Sequence, residues 1–294
     1  MRYSPPLAIL FTQSLAHSWN EQLTVIANGM FTGENGYSRG YVARDSPGFQ
    51  DTMMAYLLPP LESGRTRIDS TDLLCAPTQR TRNQTENYPR LQALPGSYIA
   101  LKYLENGHVT LPQNQPGKPP GAGTVYVFGT GQPDHNEVLS EVLQWNPRGT
   151  GGDRRGKLLT IQDFDDKRCY QINDGNISVS RQNEFPNPIP GIPGSVHEQW
   201  CETDIIIPTD ILADSTYTIY WIWQWPTTPG VPGLPNGKDE YYTTCSDLDI
   251  ITGPIQKQTQ NPLPDQDPQN AAVTNYRSRA ASKAYPYQHL GSIR

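Results

Sequence analysis

The stretch Tyr217-Thr-Ile-Tyr-Trp-Ile-Trp-Gln-Trp225, "YTIYWIWQW", places Tyr217, Ile219, Trp221, Trp223 and Trp225 at alternate positions. Alternation with a period of two puts these five side chains on one face of an extended strand. Three tryptophans and two other large residues on one face need a second layer to cover them. The segment therefore reads as a central strand of a layered β protein, its aromatic face supplying buried area.

Working outward, further runs rich in β-branched and aromatic residues are bounded by Gly, Pro, Asn or Asp. They are "QLTVIA" (22–27), "SYIALKYL" (97–104), "TVYVFG" (124–129), "KLLTIQ" (157–162), "CYQINDGNISV" (169–179), "TDIIIP" (203–208) and "DLDIIT" (247–252). Each reads as a strand. Helical periodicity is confined to "HNEVLSEVLQW" (135–145). Pro and Gly are abundant, 28 and 25 of 294 residues, which fits many turns between short strands. The expected fold class is all-β, an antiparallel β-sandwich with long loops.

Residues 1–16 combine Arg2, an apolar run from Leu7 to Phe11, and small residues Ser14 and Ala16, the pattern of a secretory signal peptide. Cleavage after Ala16 would make His17 the first residue. Residues 17–252 then form one domain. Residues 253–294 are polar, rich in Pro and Gln, and without periodicity, so a disordered tail is expected there. The expected location is secreted and extracellular. The net charge is −6, and the tail carries five basic residues against two acidic ones, leaving the remainder still more acidic. This argues against nucleic acid or an anionic membrane as partner.

Four cysteines, Cys75, Cys169, Cys201 and Cys245, suit two disulfides in an oxidising compartment and allow three pairings. Their spacing contains no metal-binding CxxC. Asn83 and Asn176 head glycosylation sequons. The chain has no GxSxG, HExxH or phosphate loop. Asp163, Asp165 and Asp166 in "QDFDDKR" lack the Gly and distal Glu of a calcium loop and read as a solvated turn.

An N-terminal histidine offers an α-amino nitrogen and an imidazole that chelate one metal together. A second imidazole makes three nitrogens, a set that suits Cu(II). Of the other histidines, His108 in "YLENGHVTLP" follows a strong strand and a Gly. His135 lies on the possible helix, His197 before Cys201, and His289 in the tail.

The combination of "LAHSW", "PGSYIALKYLENGHVTLP" and "YTIYWIWQW…NGKDEYYTTCSDLDI" resembles the secreted fungal lytic polysaccharide monooxygenases. It is closer still to a branch of uncharacterised secreted fungal relatives carrying "GYSRGYVAR", "GHVTLPQNQPGKP" and "PNGKDEYYTTC" motifs. The resemblance covers residues 17 to about 252.

It implies an immunoglobulin-like β-sandwich binding one copper ion through His17 and His108, with Tyr242 in the axial position. Glu240 would stand near the oxygen site as a catalytic group, and the disulfides would be Cys75–Cys245 and Cys169–Cys201. The implied activity is oxidative cleavage of a polysaccharide through hydroxylation of a C–H beside the glycosidic bond, by a monomer fed by an external electron donor. Two alternatives share these sequence features: a copper-binding protein that scavenges or delivers the metal, and a metal-free cell-wall interaction protein. Tyr37, Tyr41 and Phe49 are candidates for a substrate-facing surface, though a structural role suits such residues better.

Overall fold

A computed structural model describes residues 17–185, 198–253 and 271–281. The signal-peptide region, His197 and His289 lie outside the described residues.

In chain order the strands are β1 (Gln22–Ala27), β2 (Met30–Gly36), β3 (Leu57–Leu58), β4 (Leu91–Ala93), β5 (Tyr98–Tyr103), β6 (Thr124–Thr130) and β7 (Gly156–Asp163). They continue with β8 (Tyr170–Gln171), β9 (Glu198–Gln199), β10 (Cys201–Ile206), β11 (Ser215–Gln224) and β12 (Tyr241–Ile250). The helices are α1 (Leu139–Val142), α2 (Asn176–Glu184) and α3 (Ala271–Ala280). A four-stranded sheet runs β10-β5-β1-β2, and a five-stranded path β3-β12-β11-β6-β7 has β4 alongside β12. All pairings are antiparallel except β4 with β12. The expected all-β sandwich is present.

The alternation seen in β11 does what its period requires. Tyr217, Ile219, Trp221, Trp223 and Trp225 all enter the core between the sheets, against Leu23 and Val25 of β1 and Ile99, Leu101 and Tyr103 of β5. The opposite face of β11 is buried as well. Tyr220 and Ile222 pack with Phe128 of the neighbouring β6 and with Leu74, Leu139, Val142 and Trp145, which arrive on loops and on α1. Gly156 in β7 is glycine because Trp145 lies over it: a Cβ there would stand 2.0 Å from the indole. Cys75–Cys245 ties the loop layer to β12, and Cys169–Cys201 ties β10 to the loop before β8.

Four local expectations are corrected. Residues 169–179 are not one strand: β8 ends at Gln171 and α2 begins at Asn176. Polar side chains divert the backbone, with the Ser178 hydroxyl donating to Gln171 O and the Asn173 carboxamide oxygen accepting from Gly175 N. The helix expected over 135–145 shrinks to Leu139–Val142 because its first residues bridge to another loop, Leu74 N donating to Glu137 O and Leu139 N to Asp72 O.

"QDFDDKR" is not a solvated turn. Asp165 is buried in a two-pronged pair with Arg181, and the buried Asp166 carboxylate accepts from the backbone of Arg168, Cys169 and Glu202. Within the segment expected to lack structure, Ala271–Ala280 is helical, with a kink at Asn275. Tyr276 joins Ile26, Phe31 and Ala100 on the outer face of the four-stranded sheet, and Arg279 Nε donates to Asp204 at 2.9 Å. A buried carboxylate needing a cation, together with an uncovered apolar face, recruits the helix.

Candidate metal centre

The first described residues extend the β1–β5 pairing. Beyond Gln22↔Lys102, Glu21 N donates to Lys102 O, the Ser18 hydroxyl to Leu104 O, and the Asn106 carboxamide to His17 O at 2.8 Å. His17 is thereby carried to the end of β5. Asn20 N also donates to the Thr244 hydroxyl, fixing the same segment to β12.

On the other side the chain leaves β5 and turns sharply. His108 N donates to Glu105 O, with both residues between them in the left-handed region, Asn106 at φ 49° and Gly107 at φ 78°. Positive φ at both central positions is the type I′ pattern, for which Asn-Gly is the preferred pair. After the turn, the Glu105 carboxylate accepts from Val109 N, Thr110 N, the Thr110 hydroxyl and Gln171 N. One buried side chain therefore clamps the backbone on both sides of His108. Burial still pushes the Glu105 carboxyl above its usual range.

The two imidazoles meet edge to face, with ring centroids 5.8 Å apart. His108 is 3% exposed, against Trp223 at 5.3 Å and Trp225 at 4.7 Å. Its Nε2 is buried without a hydrogen-bond partner, while Nδ1 lies 3.3 Å from the Gln115 amide. Burial first, then the nearby His17 and Lys118, push its pKa down to about 3, so the ring is neutral at ordinary pH. A neutral imidazole with one unpaired buried nitrogen is a metal ligand's state.

The spacing can be tested against a shared ion. With metal–nitrogen bonds of ~2.0–2.1 Å, two rings on one ion have centroids within about 6 Å of each other, and 5.8 Å meets that limit. The donor set also fits copper, since imidazole nitrogens suit it. The residues present therefore fit a copper ion.

Tyr242 is buried and packs on Trp223 at 5.1 Å, so it joins His108 through a shared indole. Glu240 is 2.8 Å from Lys118 Nζ and 3.7 Å from Lys238 Nζ, and it accepts from the Thr227 hydroxyl. Lys118 itself lies 3.9 Å above the Trp225 ring, the ring that packs on His108, and donates to Trp225 O. Burial lowers the Lys118 pKa.

Several other residues belong elsewhere. Tyr37, Tyr41 and Phe49 pack around Trp19 and Met54, with Tyr41 2% exposed, so Tyr41 is a core residue of this loop layer. His135 is exposed, its Nδ1 beside Arg80 O. Asn83 lies on an exposed loop and Asn176 is the first residue of α2. Among the described residues one trio of His, Cys, Asp or Glu donors lies mutually within 4.8 Å, Asp166, Cys169 and Cys201, and its two sulfurs are bonded to each other.

Three groups near the histidines had no expectation attached. Asp51 Oδ2 lies 3.2 Å from His17 Nδ1, Arg44 lies behind Asp51, and Lys118 sits on Trp225. The Asn-Gly dipeptide before His108 was the one local signal able to place that histidine on a tight turn.

Among the described residues no helix is long and apolar enough to cross a membrane. No curated protein sequence matches the chain. Solved structures similar to it include a cellulose-active polysaccharide monooxygenase from M. thermophila, at 12% identity and TM-score 0.33, covering 85% of this chain and 84% of that one. The extended catalytic domain of LPMO9A from H. jecorina also aligns, at 12% identity and TM-score 0.33, covering 84% of each chain. So does Cel61B of Hypocrea jecorina, a glycoside hydrolase family 61 member, at 12% identity and TM-score 0.33 over 95% of this chain and 97% of that one. At the level of sequence family, residues 14–275 match "Domain of unknown function (DUF7492)", and the chain belongs to that family.

Proposed function

We propose that this chain is a secreted copper protein that oxidatively cleaves a polysaccharide. The observation that carries the reading is the pairing of His108, neutral and buried with an unpartnered Nε2, with His17 at a centroid distance of 5.8 Å. His17 and His108 would hold one copper ion. Cleavage after Ala16 would free the α-amino group of His17 as a third nitrogen, and Tyr242 would be a further group beside the metal. Copper bound there would supply one-electron chemistry toward dioxygen or hydrogen peroxide, as hydroxylation of a C–H beside the glycosidic bond requires.

The protein's own part is positioning. Asn106 holds the His17 backbone, the Glu105 clamp fixes the His108 loop, and Trp223 and Trp225 fix its ring. Burial keeps His108 unprotonated, so no proton has to leave the ring before a metal binds.

The test uses protein beginning at His17, loaded with copper. Expected are a nitrogen-rich type-2 paramagnetic resonance signal, ascorbate-driven peroxide turnover, and release of oxidised oligosaccharides from cellulose, chitin, xylan or glucan. Loss of tight copper in both His17→Ala and His108→Ala supports the site; wild-type protein without tight copper overturns it.

A second reading, copper binding without polysaccharide oxidation, is favoured by one observation. Glu240, assigned to the oxygen side, is already engaged by Lys118, Lys238 and Thr227. A resonance signal without oxidised product would select this reading.

A further inference from the structure

Asp51 opens a short 3-10 turn, Asp51–Met53, and its two oxygens face different partners. Oδ2 lies 3.2 Å from His17 Nδ1, and Oδ1 lies 3.4 Å from Arg44 Nη1. His17 Nδ1 is outside hydrogen-bond geometry toward that carboxylate and has no other hydrogen-bond partner. A donor nitrogen and a donor oxygen thus face the same space without bonding to each other.

The spacing suits a shared ion. Two donors about 2.0–2.2 Å from one metal, at right angles, stand about 3 Å apart. Arg44 is fixed independently of Asp51: its guanidinium lies 4.0 Å over Trp19 and pairs with the buried Glu21 at 2.7 Å. It therefore holds one Asp51 oxygen and leaves the other for a ligand.

We propose that Asp51 supplies an oxygen donor to the metal held by His17 and His108, with Arg44 positioning its carboxylate. This rests on the copper reading above. A nitrogen and oxygen donor set favours tetragonal Cu(II), and the added negative charge offsets part of the ion's charge, so Asp51 should tighten Cu(II) more than Cu(I). The donor atoms of His17, His108 and Asp51 do not all lie within 4.8 Å of one another, and the His17 and Asp51 side chains are 40% and 38% exposed. Closing all three on one ion requires His17 and Asp51 to turn inward, Asp51 about the oxygen that Arg44 holds.

The experiment compares wild type, Asp51→Ala, Asp51→Glu and His17→Ala, each starting at residue 17. Cu(II) and Cu(I) affinities are measured by competition titration, the paramagnetic resonance of the copper-loaded proteins is recorded, and the apo proteins are melted. Asp51→Ala should weaken Cu(II) at least about tenfold, weaken Cu(I) less, and shift the resonance parameters. Asp51→Glu should recover part of the affinity.

A purely structural Asp51 would lower the melting temperature and leave the resonance and both affinities of folded protein unchanged, and that result overturns the proposal. Tight wild-type copper that His17→Ala abolishes but Asp51→Ala leaves within about twofold overturns it too, while the histidine site stands. Wild-type protein that binds no copper tightly overturns both.

Discussion

The two faces of β11 are both buried, yet they end differently. The inner face runs from Tyr217 through Trp221 to Trp223 and Trp225, and its last two indoles pack on His108. The outer face, Tyr220 and Ile222, is sealed by Trp145, α1 and the Cys75 loop, and its polar atoms are paired: the Tyr220 hydroxyl meets Glu137, which Arg155 holds. The inner face leaves the ring nitrogens of Trp221, Trp225 and the adjoining His108 buried without partners, whereas the outer-face Tyr220 hydroxyl is paired. An indole nitrogen is a donor only, so of these three atoms only His108 Nε2 has a lone pair to offer, and the proposed ligand end is the one beside Trp223 and Trp225.

If this contrast holds, inner-face changes should alter both stability and metal, and outer-face changes stability alone. The largest effect is expected for Trp225→Ala, which removes a buried indole and the wall behind His108. It should cost about 3–5 kcal/mol in urea unfolding and weaken copper about tenfold or more. An unchanged copper affinity would break the contrast.

Removing the outer-layer disulfide with Cys75→Ala and Cys245→Ala releases a loop of 170 residues. It should cost about 5 kcal/mol and leave the copper affinity of the folded protein as in wild type. A changed resonance signal would show that the two faces communicate.

Glu21 sharpens the contrast through pH. Full burial raises its pKa from 4.5 to about 7, in spite of Arg44 beside it. Between those values the folded state keeps a proton that the unfolded state releases, so stability is highest below pH ~4.5 and falls as pH rises through 7, by roughly 3 kcal/mol. Melting temperatures of the apo protein across this range should show the decline, and Glu21→Gln should flatten it. The smallest effect belongs to Tyr220→Phe, which loses only the hydroxyl bond to Glu137, about 1 kcal/mol by urea unfolding, without any change in metal.

Much of the sandwich was legible because period-two alternation is a local property. β1 matches its expected bounds, and β5, β6 and β7 match within a residue or two. β11 starts two residues before its expected run and β10 likewise. β12 merges "EYYTTC" with "DLDIIT", which puts Cys245 in mid-strand.

The failures came where side chains compete with the backbone, as Asn173 before α2 and Ser178 in its first turn do, or where a distant partner decides. Asp204 and Asp166 draw Arg279 of α3 to the sheet from a segment whose composition pointed to disorder. At the site, the residues packed on His108 come from one strand whose pattern was visible. Asp51, Arg44 and Lys118 come from loops whose placement depends on pairings far along the chain, and no local pattern announced them.

The way His17 reaches its neighbour has a consequence for length variation. His17 lies five residues before Gln22 and His108 six after Lys102, the two rungs that pair across β1 and β5. Removing one residue from either arm would swing its histidine away from the other, whereas a matched change in both could bring the pair back together further along. In an alignment of homologous chains the two arms should therefore vary together if they vary at all, like two sides of a ladder cut to one height.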